Sequence, residues 1–84
     1  MPTADEFRKE LHAIFRAGTR RADDYVDVNA GQLHRDLGGY PGLKHQMPTC
    51  CVVMEAERRS GDVVMAAPPK GKGASLTIRY KLPR

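Results

Sequence analysis

The sequence has few aromatic residues, no tryptophan and no long apolar run. Aromatic residues make up 6% of its 84 residues, too few for the row of exposed rings on which single-strand-binding proteins stack bases. No apolar stretch approaches the roughly 20 residues of a membrane-spanning helix. The opening residues MPTADEFRKE are polar and acidic and do not have the pattern of a secretory signal. We therefore expect a cytoplasmic protein without a membrane segment.

Cysteine is also scarce, and its placement argues against a disulfide framework. Cys50 and Cys51 are neighbours, and adjacent cysteines cannot form an unstrained disulfide with each other. Structural zinc sites favour ligands about two to four residues apart, a spacing that His45 and these cysteines do not provide. A cysteine near a helix start can act as a nucleophile, but this pair has apolar neighbours and no sign of a substrate pocket. We expect no metal, no cofactor and no enzymatic activity.

The length and composition predict one ordered domain. A chain of 84 residues is too short to build two hydrophobic cores. Hydrophobic residues account for 40% and charged residues for 29%, values typical of globular proteins rather than of disordered chains. The whole chain, residues 1–84, is therefore treated as a single domain.

Acidic residues are missing from the last quarter of the chain. Residues 1–62 hold nine basic and ten acidic side chains, so the formal net charge of +4 arises entirely from the remainder. The basic residues of that remainder are Lys70, Lys72, Arg79, Lys81 and Arg84. This asymmetry predicts an anionic partner, with nucleic acid favoured over a membrane surface. The alternative is a soluble domain that has one basic edge.

Three segments have the pattern of helices, at residues 3–17, 30–37 and 48–59. Thr3 and Glu6 have the spacing of a capping box, and Gly18 is expected to end the first helix. Asn29 is expected to cap the second helix. Pro48 suits the first turn of the third, because its missing N–H has no partner there.

The remaining segments have the pattern of strands. Residues 25–28 alternate briefly and predict a short strand. Residues 63–82 predict a hairpin, whose second strand alternates apolar and polar side chains and so has one buried face. The intervening PPKGKG, residues 68–73, predicts a loop. It lacks the GxxxxGK[ST] pattern of a phosphate-binding P-loop.

The order helix, strand, helix, helix, strand, strand resembles that of winged helix-turn-helix proteins, from Thr3 to Leu82. The resemblance implies an α+β fold, in which a three-helix body carries a small antiparallel sheet and a C-terminal β-hairpin wing. It also implies that the strand at residues 25–28 pairs with the hairpin and that Lys70 and Lys72 lie at the wing tip. The link between the second and third helices, residues 38–47, is longer than the shortest turn of the family.

The resemblance further implies binding to double-stranded DNA, in transcription regulation or as an accessory of a DNA-processing system. The third helix and the loop before it would offer hydrogen-bonding groups to base edges, from Lys44, His45, Gln46 and Thr49. The wing and neighbouring basic residues would contact phosphates, from Lys70, Lys72, Arg79, Lys81, Arg20 and Arg21. A homodimer or a larger protein partner would extend the small contact area.

A protein–protein interaction module on the same scaffold is the second hypothesis, because a fold does not by itself determine function. Its exposed apolar residues would be Leu43, Met47 and Val52. A third alternative is that Lys44 and its neighbours form only a solvated loop and helix start.

Overall fold

The computed structural model describes residues 3–38, 46–67 and 73–84 of the protein. In chain order these ranges contain α1 (Ala4–Arg20), β1 (Tyr25–Asn29), α2 (Ala30–Leu37), α3 (Met47–Ala56), β2 (Val63–Ala66) and β3 (Thr77–Lys81). The predicted α+β class, with three helices and three strands, is confirmed for this part of the chain. None of these helices is long and apolar enough to cross a bilayer.

The three strands form one antiparallel sheet in the order β1–β3–β2. Tyr25 lies opposite Lys81 and Asn29 opposite Thr77, so β1 pairs along the whole of β3. Pairing of the first strand with the hairpin, expected from the resemblance, is confirmed. On the other side β2 pairs with β3, with one register irregularity after Val64.

The core lies between the helices and the inner face of this sheet. The predicted alternation in the last strand is confirmed, since Leu76, Ile78, Tyr80 and Leu82 are all buried. Leu76 and Leu82 lie just outside the strand, so β3 is shorter than expected. The Tyr80 hydroxyl donates to the Met54 carbonyl at 2.7 Å, which satisfies the one polar atom of this buried side chain.

Helix α1 begins where the sequence indicates but ends later. Both hydrogen bonds of the capping box between Thr3 and Glu6 are present. The prediction that the helix stops before Gly18 is wrong, because it continues to Arg20. A Cβ atom at Gly18 would lie 2.6 Å from Cδ1 of Leu82. The glycine therefore allows a close approach between helix and core rather than ending the helix.

The end of α3 also differs from the prediction, because the helix stops at Ala56 rather than at residue 59. The Asp62 carboxylate binds two backbone groups beyond the helix. Its Oδ2 accepts from the Arg59 N–H at 2.6 Å and its Oδ1 from the Lys81 N–H at 2.8 Å. These bonds turn the chain toward β3 before another helical turn can form.

Helix α2 has the predicted cap. The Asn29 side-chain oxygen accepts from the Gln32 N–H at 3.0 Å. The Gln32 side-chain amide donates to Asp36 Oδ1 at 2.8 Å and does not bind the Asn29 backbone. At the other end, Gly38 has a φ of 90°, a conformation that favours glycine and ends the helix.

Candidate nucleic-acid interface

Two of the four residues expected to contact base edges are in the described part of the chain. Gln46 precedes α3, and Thr49 lies in its first turn. The Thr49 hydroxyl donates to the Gln46 side-chain oxygen at 3.3 Å, so the two polar groups lie together at the start of the helix. Lys44 and His45 lie outside the described residues.

A buried histidine holds this helix start in place. The Gln46 backbone N–H donates to His34 Nε2 at 2.8 Å, and His34 Nδ1 lies 3.2 Å from the Gly38 carbonyl oxygen. Because a carbonyl only accepts, Nδ1 carries the proton, and a neutral ring satisfies both contacts. The ring also packs edge-on against Phe7. His34 thus joins the end of α2 to the start of α3.

The residues that follow the lysine-bearing segment between β2 and β3 contact the same helix and α2. Gly73, the residue after Lys72, accepts a hydrogen bond through its carbonyl from the Cys51 thiol at 3.5 Å. The next carbonyl, that of Ala74, accepts from the Gly31 N–H at 3.1 Å. The end of this segment is therefore fixed between α3 and the first turn of α2.

Two segments without acidic residues consequently join the body near one point. Residues 39–45 contain Lys44, residues 68–72 contain Lys70 and Lys72, and neither segment contains Asp or Glu. The first segment is followed by Gln46, at the start of α3. The second is followed by Gly73, which contacts Cys51 of α3. A helix rises about 1.5 Å per residue, so Gln46 and Cys51 are roughly 8 Å apart along the axis.

Arg79, expected to contact phosphate, is paired within the sheet. Its Nε and Nη2 lie 2.8 Å and 3.1 Å from the two carboxylate oxygens of Asp27, and its guanidinium carbon lies 4.0 Å from the Tyr25 ring centre. The hydrogen bond from Arg79 lowers the pKa of Asp27 below its usual value of 3.8. The positive charge of Arg79 is thus balanced on the outer face of the sheet.

The other basic candidates of the described residues lie toward the C-terminal end of β3; they are Arg20, Arg21 and Lys81. Lys81 is the last residue of that strand, and Gly18 packs on Leu82 beside it, which brings the end of α1 to this region. Arg20 is exposed there, and Arg21 pairs with Asp23 at 3.0 Å. Gly73, which follows residues 68–72, instead lies toward the Thr77 end of β3, where its carbonyl accepts from the Leu76 N–H at 3.1 Å. Lys70 and Lys72 themselves lie outside the described residues.

Arg84 contributes to the C-terminal excess of charge but serves the fold. Its Nη1 lies 2.9 Å and 2.8 Å from the two Asp62 carboxylate oxygens. The side chains of Arg84 and Asp62 are 5% and 0% exposed. Burial by itself would raise the pKa of Asp62, but hydrogen bonds from the Lys81 N–H, Arg84 and the Arg59 N–H together lower it below 3.8.

The outward face of α3 is apolar rather than basic. Val52 is half exposed and Pro48 is exposed. A groove of about 250 Å³ runs between α3 and α1, lined by Ala4, Arg8, Pro48, Thr49, Val52, Val53 and Ala56. Met47, expected to be exposed, is 3% exposed; this prediction is wrong because α3 begins at Met47 with that side chain in the core. Leu43 lies outside the described residues.

The cysteines serve the core. Both are fully buried, and burial together with the neighbouring Cys51 thiol raises the pKa of Cys50 to about 12. A thiol with so high a pKa is a poor nucleophile near neutral pH. Within residues 3–38, 46–67 and 73–84, no group of three His, Cys, Asp or Glu side chains is arranged to hold a metal ion.

Sequence reasoning missed two exposed arginines, Arg16 and Arg59. Among the described residues, no carboxylate lies within ion-pair distance of either. Arg16 has no acidic residue three or four positions away, which is a usable sequence signal. Arg59 has Glu55 and Asp62 at those spacings, and only the structure shows that these two pair with Arg58 and Arg84.

Comparison of the chain with protein-family models, with curated proteins and with solved structures gives no match. Its function is therefore inferred from its own residues and their geometry.

Proposed function

We propose that the protein binds double-stranded DNA as a small winged-helix domain, in transcription regulation or as an accessory of a DNA-processing system. The element order supports this proposal, as does the sheet order β1–β3–β2. In such a domain the third helix lies against the major groove and the β2–β3 hairpin acts as the wing.

One observation carries the proposal: both acid-free segments join the body at the N-terminal half of α3. The backbone contacts of Gln46 with His34 and of Gly73 with Cys51 fix these junctions. The two segments together contain three lysines and no carboxylate. Lysine side chains that no carboxylate of the same segment balances are suited to neutralise the phosphates of DNA.

The chemistry of the helix start complements that charge. Lysine contacts with phosphates supply affinity that is independent of base sequence. The Gln46 amide can donate to and accept from adenine, and the Thr49 hydroxyl can donate or accept. Their mutual hydrogen bond orients the Gln46 amide before DNA arrives. The contact area of one such domain is small, so a homodimer or a larger partner would add specificity.

The test is the salt dependence of binding to a labelled random duplex, followed by fluorescence anisotropy. We expect the affinity to fall steeply between about 50 mM and 200 mM salt. Lys72→Glu should weaken binding about tenfold at low salt and reduce the salt slope. Lys9→Glu is the matched control, because it makes the same charge change at an exposed position of α1.

Two results would contradict the proposal. One is the absence of duplex binding at low salt. The other is an equal loss of affinity in Lys72→Glu and Lys9→Glu, which would indicate a response to net charge alone.

Docking of a protein partner is a second candidate function, favoured by the apolar groove beside Val52. Among the described residues, Arg8 is the one cation that lines this groove, so an interaction there would persist at high salt. Sedimentation at high salt tests the homodimer: a dimer that Val52→Asp converts to a monomer would favour this function. Salt-sensitive duplex binding that Val52→Asp leaves unchanged would favour DNA.

A further inference from the structure

We propose that the cleft beyond the C-terminal end of α3 binds a phosphate group. The cleft has a volume of about 170 Å³ and is lined by His12, Phe15, Arg16, Glu57, Arg59 and Arg84. It lies where α3 has ended, whereas the DNA surface proposed above lies at the start of that helix. The inference therefore goes beyond the proposed function and does not depend on it.

Arg16 and Arg59 supply the charge that is free to meet a ligand. They come from different elements, one from α1 and one from the turn after α3, and both are exposed. Within the described part of the chain, neither takes part in an ion pair. Two guanidinium groups that line one cleft from different elements suit a tetrahedral oxyanion, which each can bind through paired N–H donors.

Arg84 forms one wall of the cleft. Its Nη1 binds Asp62, its Nη2 donates to the Glu57 carbonyl, and its guanidinium carbon lies 4.6 Å from the Phe15 ring centre. Its Nε is the one buried side-chain polar atom without a hydrogen-bond partner in the described ranges. A buried N–H without an acceptor is unfavourable, so a small shift toward an oxyanion would improve its environment.

The Glu57 carboxylate also lines the cleft, but it is already engaged. Its Oε1 contacts His12 Nε2, and its Oε2 lies 3.9 Å from Arg8 Nε. These contacts hold the Glu57 carboxylate on the α1 side, where Arg8 also pairs with Asp5 at 2.7 Å. The arginines of the cleft therefore determine its preference for an anion.

The size of the cleft fits a small anion. A site needs only about 10–15 Å³ of this kind of space to hold one water, so a cleft of about 170 Å³ has room for several. One phosphate group fits this space, together with the start of whatever carries it. Phosphate can come free or as part of an organic monoester, and the shared tetrahedral dianion is the proposed ligand.

The test is a titration of the full chain with sodium phosphate, followed by ¹H–¹⁵N correlation NMR at constant ionic strength kept with sodium chloride. We expect saturable shifts at the Arg59 N–H and at the Arg84 Nε–H. Arg16→Gln and Arg59→Gln should each weaken phosphate binding about tenfold, the loss of one charge-assisted contact. Both positions are exposed, so the fold should be retained.

Lys9→Gln is the control, because Lys9 is also an exposed cation of α1 and its loss changes the net charge equally. It should leave phosphate affinity within about twofold of the original. A parallel titration with adenosine 5′-monophosphate identifies the source. Tighter binding than that of phosphate supports an organic phosphate, and equal binding supports free phosphate. Shifts that do not saturate with either ligand, or an equal loss in Lys9→Gln, would overturn the inference.

Discussion

At the C-terminal end of α3, Arg84 and Asp62 are buried as a pair. At its N-terminal end, by contrast, the two acid-free segments join the body, and neither contains an acidic residue. Arg84 and Asp62 bind each other through two contacts below 3 Å, and Arg84 also lies over the rings of Phe15 and Tyr80. The charges at the C-terminal end therefore stabilise the fold. The N-terminal end supplies charge that no carboxylate in either segment balances.

This difference shows why a count of charges overstates the basic surface. The last quarter of the chain has five cations, but Arg79 and Arg84 are paired with Asp27 and Asp62. A buried charge is tolerated only with a partner and hydrogen bonds, so Arg84 cannot leave Asp62 for a ligand without a large penalty. In the proposed DNA interface, the available charge would therefore come from the lysines.

The largest effect is expected when the buried pair is broken. Asp62→Asn keeps the size of the side chain but leaves the Arg84 charge buried without a counter-charge. We expect the free energy of unfolding to fall by about 3–5 kcal/mol, measured by urea denaturation. Asp27→Asn is the matched control, since it makes the same change in an exposed pair. An equal loss in both variants would contradict the role assigned to burial.

The same pair predicts how stability depends on pH. The pKa of Asp62 is lower in the folded chain than its ordinary 3.8, so its ionised form stabilises the fold. This contribution is complete above the unfolded pKa and is lost as the pH falls through the folded pKa. The unfolding free energy of the natural chain should therefore decrease toward that of Asp62→Asn below about pH 3.8. If the difference in unfolding free energy between the natural chain and Asp62→Asn stayed constant as the pH fell, this assignment would be contradicted.

At the other end of α3, a smaller effect is expected from the histidine. His34→Leu removes the acceptor of the Gln46 N–H, which should reduce the unfolding free energy by about 2 kcal/mol. Because the helix start is then less well fixed, duplex affinity should also fall. Leu33→Ala, which creates a cavity in α2 but keeps the His34 contacts, is the control. Equal losses of DNA affinity in the folded variants would show that His34 has no specific positioning role.

The smallest effect is expected at Arg79. Arg79→Gln removes a cation that Asp27 already balances, so duplex affinity should change by about twofold or less. Fluorescence anisotropy under the conditions used for Lys72→Glu measures it. A loss as large as that of Lys72→Glu would show that Arg79 leaves Asp27 to bind phosphate.

Local signals in the sequence predict where the helices begin and where α2 ends, but not where α1 and α3 end. Caps at Thr3 and Asn29 involve residues three positions apart and are visible in the sequence. The ends of α1 and α3 depend on distant residues, because Leu82 packs on Gly18 and Asp62 binds the Lys81 N–H. No local pattern contains such contacts.

The same distinction applies to the candidate sites. The acid-free segments are visible as sequence, so Lys70 and Lys72 could be predicted as candidates. The pairing of Arg79 with Asp27 spans 52 positions, and that of Arg84 with Asp62 spans 22. Which cations remain unpaired is therefore a property of the fold. Arg16 has a local signal, but Arg59 and the cleft that both residues line could not be predicted from the sequence.

The most direct test of the central claim is a map of the amide groups that respond to duplex DNA. We expect ¹H–¹⁵N correlation spectra to show the largest shifts at Gln46, Thr49, Gly73 and Ala74, where the two lysine-bearing segments meet α3. These shifts should diminish as salt is added. Shifts centred instead on Arg59, Lys81 and Arg84, or no shifts at low salt, would contradict the account.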